Sequence, residues 1–328
     1  MPHALLRSAF LLLLAPATAL PAANVINKYG VDFCVIGDPG NRATNSTETP
    51  FNGPRGSVNY TYGLSKTEIS IGQWYEFVDA YGMYVSPTLA GPTFLGRRGI
   101  GFDFSRPSGF GLNPDAKDLP AEVGWRFAAM YCNWLHNDRR TDLAAFQTGA
   151  YDVSTFGTVG GVYTDQVTRS PGAKFWIPSL DEWIKATYWD PNRNGPGQGG
   201  YWLRPGGRDT LLTPALPQNG GETSAFVDNA ENLPVGSYSG IGGPWGLLDS
   251  SGSVREWTEL RDSATGGRTA FGSSAGEVHN LPDSIRWPGE NAAPDFDLFG
   301  IRLATEVPAP PAALPLGILI LATPRRRQ

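Results

Sequence analysis

Apolar residues fall in short runs along this chain, and each run carries a local signature. Val31–Ile36 reads as a buried strand closed by the turn Gly37-Asp-Pro-Gly40. Residues Val58 to Leu64 alternate and read as a second strand. Ser70 with Gln73 three positions on forms a capping box, and Trp74, Phe77, Val78 and Tyr81 then share one helical face. A second helix is expected over about 124–137, aligning Trp125, Ala128, Ala129, Cys132 and Leu135. A third starts at Ser179, with Glu182 completing its box and Leu180, Trp183, Ile184 and Thr187 as its inner stripe. Beyond Asp190, Gly, Pro, Asn and Asp cut the apolar runs into loops and short strands. Three helices followed by an irregular, strand-rich remainder predict an α+β fold, with helices against an antiparallel sheet.

Composition sharpens this picture. Gly and Pro together supply 41 plus 28 of 328 residues, well above ordinary usage of about 12%. Ten Trp require a core, so the chain is folded and loop-rich rather than disordered. A net charge of −5 leaves no electrostatic footprint for nucleic acid.

The two ends read as addresses. Residues 1–23 hold Arg7, the apolar stretch Ala9–Ala15 and the cleavage pattern Ala17-Thr18-Ala19, with Ala22-Ala23 as a second option. This is the order of a secretory signal peptide. Residues 306–328 run from the Pro-rich spacer Val307-Pro308-Ala309-Pro310, through an apolar run ending at Ala322, to Arg325–Arg327. That order resembles a PEP-CTERM sorting signal, which implies processing by an exosortase. The apolar run is shorter than the roughly 20 residues a straight spanning helix needs, and Pro315 interrupts it. Between these ends, residues 24–305 contain no linker and no fixed-period repeat, and are expected to form one domain.

Several chemical motifs lose force on inspection. Cys34 and Cys132 fall on apolar faces, so an even count in an exported chain permits a disulfide without requiring one. His136 ends an apolar helix and reads as its C-terminal cap. Gly272-Ser-Ser-Ala-Gly276 matches a nucleophile elbow around Ser274. However, the sole histidine after it is His279 and no helix pattern follows. Gly195-Pro-Gly-Gln-Gly-Gly200 follows a helix rather than a strand and reads as a loop.

A set of spaced motifs is more informative. Val123-Gly-Trp-Arg-Phe-Ala-Ala-Met-Tyr-Cys-Asn-Trp134 comes first, then Phe175-Trp-Ile-Pro-Ser-Leu-Asp-Glu-Trp-Ile-Lys-Ala186. Pro234-Val-Gly236 leads into Gly246-Leu-Leu-Asp-Ser-Ser-Gly-Ser-Val-Arg-Glu-Trp-Thr258, and Phe299-Gly-Ile-Arg-Leu-Ala304 follows. In this order they resemble the formylglycine-generating enzyme, or sulfatase-modifying factor, family over roughly residues 30–305. The resemblance implies an irregular, loop-rich α+β fold related to C-type lectins.

In that family, copper held by two cysteines oxidises a sulfatase cysteine to formylglycine. Soft thiolates select Cu(I). The corresponding positions here are Gly276 and Leu281, and no cysteine follows Cys132, so copper is not expected. The resemblance also implies a structural calcium ion under the Glu256 loop. Its ligands would be the side chains of Asp249 and Glu256 and the carbonyls of Gly252 and Val254, hard oxygen donors of the kind calcium takes. Ser253 and Arg255 depart from the family's Asn and Trp. Arg255 either points away or pairs with Asp249 or Glu256 in place of the ion. Two functions are compatible with these residues. One is a non-catalytic cell-surface or matrix protein binding a glycan or protein, with Tyr201, Trp202 and Trp245 as candidate stacking surfaces. The other is an enzyme on the same scaffold that works without the cysteine pair.

Overall fold

The computed structural model describes residues 24–48, 53–85, 95, 98–228, 230–277 and 283–307. Residues 1–23, the tail beyond Val307, His279 and Leu281 lie outside the described residues. The strands are β1 (Val25–Lys28), β2 (Val31–Ile36), β3 (Tyr62–Ser65), β4 (Ile100–Phe102), β5 (Phe110–Leu112), β6 (Thr158–Val159) and β7 (Val162–Tyr163). They continue with β8 (Phe175–Trp176), β9 (Trp189–Asp190), β10 (Gly200–Tyr201), β11 (Glu256–Arg261), β12 (Arg268–Phe271), β13 (Glu290–Ala292) and β14 (Ala304–Glu306). The α-helices are α1 (Ile71–Tyr81), α2 (Trp125–His136), α3 (Ala144–Gln147) and α4 (Leu180–Tyr188).

The main sheet runs β1-β2-β3-β14-β8, with every pair antiparallel. β14 lies between β3 and β8, with Ala304 opposite both Leu64 and Trp176. The end of the domain is thereby built into the sheet its beginning started. A second antiparallel sheet, β11-β12-β13, bulges between Trp257 and Arg261. The α+β expectation is met, with four α-helices given above among the described residues where three were expected.

Both capping boxes form. Ser70 accepts from the Gln73 backbone while the Gln73 side chain accepts from Ser70, and Ser179 and Glu182 do the same. Trp74, Phe77, Tyr131, Trp134 and Phe146 interlock between α1, α2 and α3, their ring centroids 4.8–6.1 Å apart. A smaller core joins α4 to Tyr201, Phe271 and Ile285.

Three expectations need correction. The second strand begins at Tyr62, not Val58. The Val58 amide donates to the Asn41 side chain and its carbonyl accepts from Gly40, so its backbone is used before it reaches the sheet. His136 does not cap α2. Its Nδ1 accepts from the Lys174 amide at 3.1 Å, while the Asn137 side chain donates to the Asn133 carbonyl of α2 and to the Ala145 carbonyl of α3. Burial, then Lys174, pushes the His136 pKa down, in keeping with a neutral acceptor. Tyr201, Trp202 and Trp245 offer no stacking platform. Tyr201 is fully buried, Trp202 lies under Arg193 at 4.7 Å, and Trp245 packs against Gly37 and the core.

Candidate functional site

The loop from Leu248 to Val254 enters β11 at Glu256, and the sequence places most candidate chemistry here. Asp249 and Ser253 adopt positive φ, 54° and 59°. Aspartate tolerates that region well, whereas serine is a poorer occupant than asparagine. Gly252, at φ 80°, is required on two counts: its backbone is left-handed, and a Cβ would run into Ser224 and Thr223. Serines tie the loop down. Ser273 Oγ accepts from the Gly252 amide at 2.7 Å and Ser224 Oγ from the Ser253 amide at 2.6 Å. Ser251 donates to the buried carboxylate of Asp283 at 2.7 Å.

Glu256 is the hub. Its Oε1 accepts from Arg302 Nε at 2.7 Å and its Oε2 from Trp183 Nε1 at 2.6 Å. Arg302 is 1% exposed and Glu256 2%, so this is a sealed ion pair. The Arg302 guanidinium also donates to the carbonyls of Ser65, Lys66 and Leu248, stitching β3, the 248 loop and β11 to one side chain. Burial pushes the Glu256 carboxyl up; Arg302 and then Trp183 pull it back. Asp249 accepts from the Gly236 amide, within the Pro234-Val-Gly236 segment. Glu68 is wholly buried beside Asp249, and among the described residues no donor reaches its oxygens. Burial, then the Asp249 charge, pushes Glu68 well above the carboxylate range, which keeps it protonated.

This arrangement fits a calcium ion poorly. The carboxylate expected to complete the shell already faces a guanidinium. The cation beside Glu256 is Arg302, not Arg255. Arg255 turns outward to Glu277, at 2.5 Å, and to Glu290. It thereby pins the 272–277 turn to β13. Gly276 stands in that turn at φ 70° with open space around it, and Ser274 Oγ donates to Glu277 at 3.0 Å. Cys34 and Cys132 are free thiols, both fully buried, in β2 and α2 respectively. Burial pushes the Cys34 thiol up to about 11 and Cys132 well above its ordinary value.

The sulfatase-modifying factor enzyme 1-like domain model matches residues 31–306 of this chain. The chain belongs to that family. Among solved structures, the crystal structure of CarF is similar over 86% of this chain and all of its own, at 18% identity and a TM-score of 0.49. Treponema denticola variable protein 1 follows, covering 87% of this chain and 99% of its own, at 16% identity and a TM-score of 0.47. PvdO from Pseudomonas aeruginosa covers 87% of this chain and 98% of its own, at 17% identity and a TM-score of 0.47. No curated protein sequence matches the chain.

A second polar cluster in this family member joins the Phe175–Ala186 motif to residues outside every motif. Glu182, the capping residue of α4, is fully buried and accepts from Tyr60 Oη at 2.7 Å, Ser179 N at 2.7 Å and Trp176 Nε1 at 3.1 Å. Arg169 bridges it, at 3.1 Å, to Glu259 of β11, at 3.6 Å, and lies over Trp176 at 4.1 Å. A cavity of about 520 Å3 opens against this cluster. Sequence reasoning saw Glu182 as a cap and missed Arg169 and Glu259. The one local signal was a second glutamate, Glu259, within the apolar segment Glu256-Trp-Thr-Glu-Leu260.

Proposed function

We propose that this family member is an exported, non-catalytic binding protein of the cell surface or matrix, taking a glycan or protein ligand. One observation carries the reading: the chain has two cysteines, at 34 and 132, and both are walled into the core. Copper-thiolate chemistry of the family's kind needs two accessible thiolates, and Gly276 and Leu281 stand at those positions. Export rests on the signal-like residues 1–23. Sorting by an exosortase-type enzyme rests on the spacer, apolar run and arginines of 306–328. Calcium at Asp249, Gly252, Val254 and Glu256 is not part of this proposal, because Arg302 already compensates Glu256.

The test is incubation of the protein with a sulfatase-motif peptide, copper and oxygen, followed by mass spectrometry. An unchanged cysteine is expected, and aldehyde formation overturns the reading. A glycan array on the same preparation then searches for the ligand.

A further inference from the structure

The cavity beside Arg169 is lined by Tyr60, Thr61, Thr168, Ser170 and Trp176, together with Glu259 and Glu306. Its volume of about 520 Å3 lies within the range of small-ligand sites. The Glu259 side chain is 3% exposed. Its Oε1 is fully used, accepting from Tyr151 Oη at 2.8 Å and Arg169 N at 2.6 Å. Among the described residues, Oε2 faces only Arg169 Nη1, at 3.6 Å, beyond hydrogen-bond distance. Arg169 is also engaged by Glu182. Two buried carboxyls therefore share the one guanidinium within ion-pair distance, since Arg268 beside them gives its N–H groups to the carbonyls of Val167, Gln166 and Glu259, and Glu259 Oε2 is left without a hydrogen-bond donor among the described residues.

We propose that this cavity binds an amino sugar with a free amine. Its ammonium group donates to Glu259 Oε2, and its hydroxyls meet the hydroxyl-bearing wall of Thr61, Thr168 and Ser170. The inference rests on the binding-protein reading and names a ligand class for it. An ammonium supplies a charged donor to Oε2, which an acetylated or plain sugar does not. A hydroxyl-lined wall favours a sugar over a bare diamine.

Without ligand, a proton takes the place of the ammonium. Burial, then the Glu182 charge, raises the Glu259 carboxyl to about 7, against the pull of Arg169 and Tyr151. The charged and titratable groups facing Glu259 are Glu182 from α4, Arg169 and Tyr151 from loops, Cys132 from α2, and Arg268 from β12.

Calorimetric titration of the full chain with glucosamine disaccharide, its N-acetylated counterpart and cadaverine tests this. The free-amine sugar is expected to bind at least about tenfold tighter than either other probe at pH 7.5, and to weaken about tenfold by pH 5.5 as Glu259 takes a proton. Glu259→Gln should remove the preference for the free amine. Titration of the wild type in buffers of different ionisation enthalpy should show proton release on binding near pH 6.5, whatever the variant's folding. Equal binding of the acetylated sugar, equal binding of cadaverine, or no proton release each overturns the assignment. A glycan bound with undiminished affinity by Glu259→Gln also overturns it, while leaving the binding-protein reading standing. Silence toward all glycans and proteins would sink both.

Discussion

Two clusters in this protein use the same parts, buried glutamates around one arginine, and put them to different ends. At Glu256 both carboxylate oxygens meet a strong donor, while neighbouring Glu68 keeps its oxygens without one among the described residues. Arg302 gives its Nε–H to the carboxylate and further N–H groups to three backbone carbonyls, adjacent Ser65 and Lys66 and distant Leu248. At Glu259 the arginine is divided between two carboxyls, and one oxygen faces a cavity. Sealed from solvent, the first cluster holds the fold together. The second leaves one carboxylate oxygen without a hydrogen-bond donor among the described residues, which a ligand or a proton can satisfy. Residue types alone do not separate structural from binding acids; access to a cavity does.

The sharpest way to break the comparison is Arg302→Met. Removing the cation strands Glu256 in the core, and breaking a buried pair in this way costs about 3–5 kcal/mol. Denaturant unfolding of the variant should show a loss of that size. A loss below about 1 kcal/mol would mean that the hub does not hold the fold.

Next in size is the pH dependence carried by Glu259. Its folded pKa is raised, from 4.5 to about 7, so its contribution is fully present below the unfolded value and is lost as pH rises through 7. Wild-type stability should therefore fall by about 3 kcal/mol between pH 4.5 and 8 through this group. Glu259→Gln, which cannot ionise, should show a correspondingly flatter profile. Parallel profiles for the two proteins would remove the unmet acceptor on which the comparison depends.

Much of the fold was legible because its signals are local. Ser70 with Gln73, and Ser179 with Glu182, announce helix starts within four residues, and the stripes that follow are the faces that pack. Strand β3 was misplaced because alternation cannot reveal that Val58 gives its backbone to Asn41 and Gly40. The loop at Asp249 and Glu256 was legible as a motif, but its partner was not. Arg302 lies 46 residues from Glu256, and its own motif, Phe299-Gly-Ile-Arg302, carries no mark of what it pairs with. The Glu259 cluster was illegible altogether. Arg169 sits in a loop 90 residues from Glu259, and no period or spacing connects them.

Arg255 sharpens the comparison from the other side. It neighbours the hub in sequence, yet its partners are Glu277 and the half-exposed Glu290, and its buried Nε meets no acceptor among the described residues. Burial accordingly pushes its pKa down. Replacing an imperfectly satisfied pair of this kind with an apolar side chain is often neutral, so Arg255→Met should shift stability by less than about 1 kcal/mol in either direction. A cost equal to that of Arg302→Met would show that pinning the 272–277 turn matters as much as the hub.

The smallest expected effect is that of a chelator. An ion bound to the folded state alone stabilises by mass action, about 2.7 kcal/mol at a hundred times its dissociation constant. Such an ion at Asp249 and Glu256 would have to share Glu256 with the Arg302 guanidinium 2.7 Å away, and like charges so close inside a protein repel strongly. The loop that calcium would organise is already held by Ser224 and Ser273. The melting temperature should therefore be indifferent to both chelator and added calcium. A chelator-sensitive Tm that Glu256→Gln abolishes would restore the metal. It would also mean that Arg302 leaves Glu256 when the ion binds, making the sealed cluster the more mobile of the two.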